Sequence, residues 1–298
     1  AMWSGTDEQY LELYSVAARE LKSRFPGLRI GGPGVGGTGR RTGERFEVSP
    51  FIVRFLEFCR QERLPLDFFS WHAYGDDPQD LVIRARGIRR VLDDHGFAAT
   101  ASCLNEWNYL PGNSWDALSR TSSARARQRF YEEMSGVPGA AFIAAVLLEL
   151  QDAPIEMANL FHGELGAFGL FNEHGVPQRN YEAVQAVDRF LGTGERVQCT
   201  GGIPGRLVVA AGVNAARDAA GVMVVRTGLD TGAGPVRVVL ASLPWGRPTR
   251  VIQRAVTPEL TLAEARTNAL SPDGRLTLPL PGPGLILLQV QPGEVVKP

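Results

Sequence analysis

The sequence predicts two architectures in series: an α/β region of the parallel-barrel type over residues 1–191 and an all-β sandwich over 192–298. Three observations carry this. Up to Gly192, segments with apolar residues at helical spacing alternate with short apolar runs, the order expected of a parallel α/β barrel. Beyond Gly192 the pattern turns into short β-branched runs separated by Gly, Pro, Asp and Asn. Two of the earlier apolar runs end abruptly in polar and aromatic groups, WHAY at 71–74 and NEWN at 105–108, and the C-terminal ends of barrel strands are where catalytic side chains sit.

Taking the elements in order, Thr6 with Gln9 three residues on forms a capping box. Tyr10, Leu13, Tyr14, Ala17, Leu21 and Phe25 then recur at helical spacing up to Pro26 and Gly27. Residues 28–30 read as a short strand running into GGPG at 31–34. These glycines allow either close backbone approach to a ligand or a tight turn with positive φ. The turn is favoured over phosphate binding, because the spacing is not that of a phosphate loop and no Lys-Ser or Lys-Thr follows. Ser49 and Pro50 supply an N-cap and an N1 proline, with Phe51, Phe55, Phe58 and Cys59 on the buried face of the helix that follows. Residues 66–69 form the next strand and run into SWHAYG at 70–75. Asp77 and Pro78 open a helix carried by Leu81, Ala85, Ile88 and Leu92 and closed by Gly96.

The stretch 100–108, TASCLNEWN, is a buried strand that stops at the loop signal Pro111, Gly112 and Asn113. Helices follow over 123–134 and 139–151, then a strand over 155–161 that leads into His162, Gly163 and Glu164, and a helix over 181–191. The sandwich strands fall at 207–213, 222–226, 236–243, 249–256, 275–280 and 285–291. No His occurs after His174 and no carboxylate cluster stands at a strand end there, so the sandwich is expected to pack on the barrel. Carbohydrate contact through Trp245 is weighed against a place in the core or an interface.

With 298 residues, 44% of them hydrophobic, the chain can bury one large or two ordinary cores. A net charge of −1 and the lack of a long basic block argue against a nucleic-acid partner. No apolar run reaches the length a membrane helix needs, so no membrane partner is expected. Of the three cysteines, Cys59, Cys103 and Cys199, two lie in apolar runs, which implies no disulfide framework. The amino terminus lacks the charged-then-apolar order of a signal peptide, which leans the expected location to the cytoplasm. No cofactor is expected. His72, His162 and His174 lack close metal-ligand spacing, so no metal site is expected either.

Glu106 is the first candidate for chemistry, a carboxylate delivered at a strand end between Asn105 and Trp107, residue types suited to hydroxyl recognition and sugar stacking. A solvent-facing strand cap is the plain alternative. His72 and Tyr74 alternate along an extended chain and so share a face, beside Trp71.

FFSWHAYG at 68–75, LNEWN at 104–108, GGPG at 31–34 and the trailing sandwich together resemble glycoside hydrolase family 39, which contains β-xylosidases and α-L-iduronidases. The resemblance implies a (β/α)8 barrel of the TIM type and a retaining glycosidase. It matches Glu106 to the nucleophile at the end of the seventh strand, and His72 and Tyr74 to the sixth-strand pair that contacts sugar and nucleophile. Glu164, near the eighth strand, matches a carboxylate that binds sugar hydroxyls. The family's acid/base glutamate lies in an Asn-Glu-Pro motif at the end of the fourth strand, and this sequence has no Asn-Glu-Pro. If Trp3 aligns with the tryptophan after that motif, the chain holds a partial barrel, strands five to eight, with Ala1 and Met2 a cloning remnant.

Retaining hydrolysis needs two carboxyl groups about 5–5.5 Å apart. Glu8 or Asp7, in the first turn of the first helix, or a carboxylate from a partner chain, is the candidate for the second. Two function classes therefore stand. One is a retaining β-glycosidase acting on β-linked glucosides or xylosides, with His72, Tyr74, Asn105 and Trp107 shaping the sugar subsite. The other is a non-catalytic carbohydrate-binding or assembly module. A half-barrel leaves a parallel strand edge open, so a homo-oligomer that covers it is expected.

Overall fold

The structure, a computed structural model, describes residues 3–228, 234–245, 249–271 and 273–293, so Ala1 and Met2 lie outside the described residues. It divides into two compact units: Ala1–Tyr74, Asp80–Asn108 and Asp152–Phe161 form one, and Gly75–Gln79, Tyr109–Gln151 and His162–Pro298 the other.

The first unit is built on α1 (Asp7–Arg24), β1 (Gly31–Val35), the hairpin β2 (Gly39–Thr42) and β3 (Arg45–Val48), α2 (Pro50–Gln61), β4 (Phe68–Gly75), α3 (Pro78–Asp94), β5 (Ala101–Tyr109) and β6 (Met157–Leu160). Four strands make one sheet in the order β1-β4-β5-β6, with β1 parallel to β4 and β5 parallel to β6. The capping box at Thr6 forms as read: the Gln9 amide N–H donates to Thr6 Oγ1, and the Thr6 N–H to Gln9 Oε1. Two tyrosines then bind α1 to β1 and to the segment before β4. Tyr10 Oη donates to the Pro33 carbonyl at 3.2 Å and Tyr14 Oη to that of Pro65 at 2.8 Å. Tyr14 meets Phe55 of α2 edge to face at 4.9 Å, and Phe55 and Phe69 are both fully buried.

Two strand boundaries differ from the sequence reading. GGPG is not a loop after a strand; it is the strand, with Gly31 paired to Phe68 and Gly32 to Phe69. A Cβ on Gly31 would lie 2.3 Å from the Phe68 carbonyl oxygen, so a glycine is what lets β1 approach β4. The polar half of FFSWHAYG is likewise strand to its end. The hairpin at 39–48 has no apolar alternation and was not expected; Phe46 packs on Gly87 of α3, with the Arg84 guanidinium 5.5 Å from its ring centre.

The second unit holds α4 (Ala124–Ser135), α5 (Val137–Glu149), α6 (Arg179–Leu191), β7 (Glu195–Val197), β8 (Leu207–Val213), β9 (Ala220–Arg226), β10 (Val236–Val239), β11 (Thr249–Val256), β12 (Ala265–Ala269), β13 (Arg275–Leu278) and β14 (Gly284–Pro292). Six strands form an antiparallel sheet, β12-β11-β14-β9-β8-β7, and β10 pairs with β13 in a second, small sheet. One core joins the two: Val222, Val224, Val251 and Ile286 from the large sheet, Leu276 and Leu278 from the small one. Trp245 packs against this core, so the core placement weighed for it is the one found. The other face of the large sheet, with Met223, Val225, Leu285 and Leu287 fully buried, is covered by α5 and α6. A strand buried on both faces reads as an unbroken apolar run, as β9 does from Ala220 to Val225 and β14 from Leu285 to Leu288. The two unforeseen strands, β7 and β12, are the sheet's edges and carry no such signal.

Among the described residues no single helix is long and apolar enough to cross a membrane.

Candidate active site

The site forms where β4 and β5 lie side by side. Along β4 the two-residue period puts His72 and Tyr74 on one face and Trp71 and Ala73 on the other. Tyr74 Oη donates a 2.6 Å hydrogen bond to Glu106 Oε1, and His72 Nδ1 lies 3.8 Å from Glu106 Oε2. The side chains of His72 and Glu106 are 20% and 22% exposed, enough to meet a ligand and too little to wave in solvent. The Tyr74 phenol is pushed well above the ordinary tyrosine range, first by burial and then by its hydrogen bond to Glu106. It therefore keeps its proton through the neutral range and stays a donor to the carboxylate.

Glu106 sits in an irregularity. The register between β5 and β6 shifts between Leu104 and Trp107, and such bulges re-aim side chains beside active sites. On the other flank, Gly34 of β1 adopts φ +67°, and a Cβ there would come 3.8 Å from His72 Nε2. Phe161 meets Tyr74 edge to face at 6.3 Å. Its backbone is held twice: its N–H donates to the Trp107 carbonyl at 2.9 Å, and its carbonyl accepts from the Asn108 side-chain amide. Asn108 is fully buried and is the positioning residue the sequence reading passed over. Its signal was a primary amide in the last buried turn of an apolar strand, where it needs a partner.

Of the residues expected here, Glu106, His72 and Tyr74 come together. Asn105 is half-buried, its Oδ1 shielded and without a hydrogen-bond partner. Two expectations are corrected. Trp71 and Trp107 are 0% exposed, so neither indole can stack on a sugar. Trp71 Nε1 instead donates to Ser102 Oγ at 3.0 Å inside the core. The physical reason is the strand period: a neighbour in sequence points to the opposite face.

Glu8 is unsuited to the role of acid. It is exposed and ion-paired to Arg54, and that hydrogen bond, with help from the helix N-terminus, holds its carboxyl down at about 2. A general acid needs the reverse shift, because a carboxyl ionised throughout has no proton to deliver. Asp7 faces the same guanidinium at 3.6 Å. Glu164 belongs to the second unit and is exposed; its backbone N–H donates to His162 Nδ1. Among the described residues no group of three or more His, Cys, Asp or Glu is placed to hold a metal ion.

Residues 1–89 match the sequence profile of Glycosyl hydrolases family 39, a span that includes His72 and Tyr74 and stops short of Glu106. A β-xylosidase of Caldicellulosiruptor saccharolyticus is 27% identical over 224 residues, 66% of this chain and 39% of the relative. One from Geobacillus stearothermophilus is 28% identical over 204 residues, 61% of this chain and 37% of the relative. The chain thus spans about two-fifths of the length of the curated relatives it matches. Among solved structures, a glucosidase from Croceicoccus marinus superposes with TM-score 0.69 at 25% identity, covering 98% of this chain and 66% of that one. A monomeric β-xylosidase from Caulobacter crescentus superposes with TM-score 0.65 at 16% identity, covering 96% and 66%, a likeness of fold. These matches bear out the resemblance to family 39.

Two outcomes follow from the geometry. Trp107→Ala should cost about 3–5 kcal/mol in denaturant unfolding, as for other buried indoles; a variant of unchanged stability would return Trp107 to the sugar subsite. In an absorbance titration, Tyr74→Phe should leave the tyrosinate signal that develops near pH ~10 intact, because Tyr74 ionises above that range. Loss of one tyrosine's share of that signal would contradict the raised phenol.

Proposed function

We propose that this chain carries the nucleophile side of a retaining β-glycosidase site, acting on O-glycosidic bonds of β-linked xylosides or glucosides, with residues 1–191 as its catalytic-type region and 192–298 as an accessory domain. The observation that carries the reading is the Tyr74–Glu106 hydrogen bond at the ends of two neighbouring strands, with His72 close by. A phenol that holds one carboxylate oxygen fixes the carboxylate's plane and leaves the second oxygen to attack the anomeric carbon. The attack forms a glycosyl ester on Glu106 and expels the leaving oxygen, which takes a proton from a general acid; water then cleaves the ester. As the ester forms, Glu106 loses its charge, and the Tyr74 hydroxyl, keeping its proton, can turn its hydrogen bond toward the sugar ring oxygen. Half-buried Asn105 offers an amide to sugar hydroxyls. The xylosidase and glucosidase names among the similar proteins support pentose and hexose substrates of this class.

One observation favours a second reading, a non-catalytic carbohydrate-binding or assembly module: the acid/base candidate Glu8 is ion-paired and strongly acidic. A 2-fluoro glycoside with a good leaving group separates the two, because it bypasses the acid. Intact-mass spectrometry should find one added sugar on the unmodified chain and none on Glu106→Gln. The absence of an adduct from both a fluoroxyloside and a fluoroglucoside would leave the binding module.

A homo-oligomer is the other part of the proposal. β1 and β6 end the four-stranded sheet, and Met157 of β6 and Phe161 just after it stay exposed. Uncovered parallel edges of this kind are rare. Sedimentation velocity should return a dimer or larger species; a single monomer boundary at every concentration would refute the association.

A further inference from the structure

Between the two sheets of the second unit lies an open groove of about 740 Å³, a size at which proteins accommodate ligands rather than packing defects. Its floor is a set of cross-strand pairs on one face of the large sheet: Val209 with Val224 and Ala211 with Val222, continuing to Leu207 with Arg226. The floor residues of β8 remain half-exposed, whereas Val208 and Ala210, on the opposite face, are buried.

The wall of the groove has an unusual composition. Every residue from 236 to 244 lines it, including both faces of β10, and no residue of β13 does. Consecutive residues line a cavity together only when it runs along the strand's edge, so the groove faces the edge of β10 turned away from β13. The Leu240 N–H donates to the Gly274 carbonyl on the β13 side. By alternation, the N–H and C=O groups of Arg237 and Val239 point into the groove, and among the described residues β10 pairs only with β13. Residues 197–201 form the opposite wall.

Charge adds a second, independent constraint. Arg217, Arg226 and Arg237 line the groove, and no carboxylate is among its described lining residues. Arg226 Nε is buried and makes no hydrogen bond. Arg226 donates from a terminal nitrogen to the Gly234 carbonyl at 3.2 Å, so a compact apolar molecule would cover the floor and leave the strand edge and Arg226 Nε without partners. An extended chain answers all three features.

We propose that the groove receives an extended peptide strand from a partner polypeptide, which pairs with the free edge of β10, sets alternate apolar side chains on the β8–β9 floor and presents carboxylates to Arg226 and Arg237. This is strand addition to an exposed sheet edge: the main chain supplies the affinity, and the apolar floor and basic rim supply the selectivity.

The test uses the 298-residue chain and a fluorescein-labelled peptide, Asp-Thr-Val-Thr-Val-Thr-Val-Glu. Fluorescence anisotropy should show saturable binding with Kd of order 10–100 µM. Arg226→Glu should weaken it by more than about tenfold, because it turns an attraction for the peptide's carboxylates into a repulsion. Val239→Pro removes a groove-facing N–H without touching a β13 bond and should abolish binding, as should a proline at the centre of the peptide. On the unmodified chain, the peptide should slow hydrogen exchange at Arg237 and Val239 while Leu240 stays unchanged, a readout that does not depend on any variant folding. Three results would overturn the proposal: no saturable binding at about 1 mM peptide, equal binding of the proline-containing peptide, or a self-dimer in which those two amides are already protected.

Discussion

Strand alternation on β4 and β5 is the constraint from which the first unit takes its form. Trp71 and Trp107 are wholly buried, and burying two indoles stabilises the sheet far more than any single contact in the site. Once those rings are fixed in the core, His72 and Tyr74 have only the other face of β4 available. The bulge before Trp107 then decides where Glu106 points. The catalytic-type geometry is thus a by-product of packing: the hydrogen bond between Tyr74 and Glu106 needs two strand ends held in register, and the core holds them.

The surroundings of that pair use backbone more than side chains. Gly31 brings β1 against β4, Gly34 carries β1 past His72, and Asn108 clamps the backbone of Phe161. Each device acts by removing or satisfying a main-chain obstacle. None adds a charge near Glu106, which leaves the carboxylate with a neutral donor, Tyr74, as its close partner and an imidazole at longer range.

Much of this was legible in the sequence, and the reasons for the gaps are local. The capping box at Thr6, the amphipathic helices and the strand ends carrying Glu106 and Tyr74 are signals of short range, set by a residue and its neighbours within one turn. The failures share a different cause. Trp107 was read as a sugar contact because tryptophan beside a carboxylate suits both roles, and only the direction of each side chain separates them. Gly31 looked like a loop residue because the partner that requires its missing Cβ, Phe68, lies 37 positions away. Glu8 looked available because its ion pair with Arg54 joins two helices. The edge strands β7 and β12 escaped because pairing on one side alone imposes no apolar pattern.

In the second unit, α5 lies against the large sheet, and nine of its thirteen residues are buried. A helix apolar on all sides has no surface it can offer to water. It follows that this unit has no intermediate stage of loosening that is also soluble: detaching α5 bares the helix and the backs of β9 and β14 together. The form with α5 detached is therefore the one that aggregates.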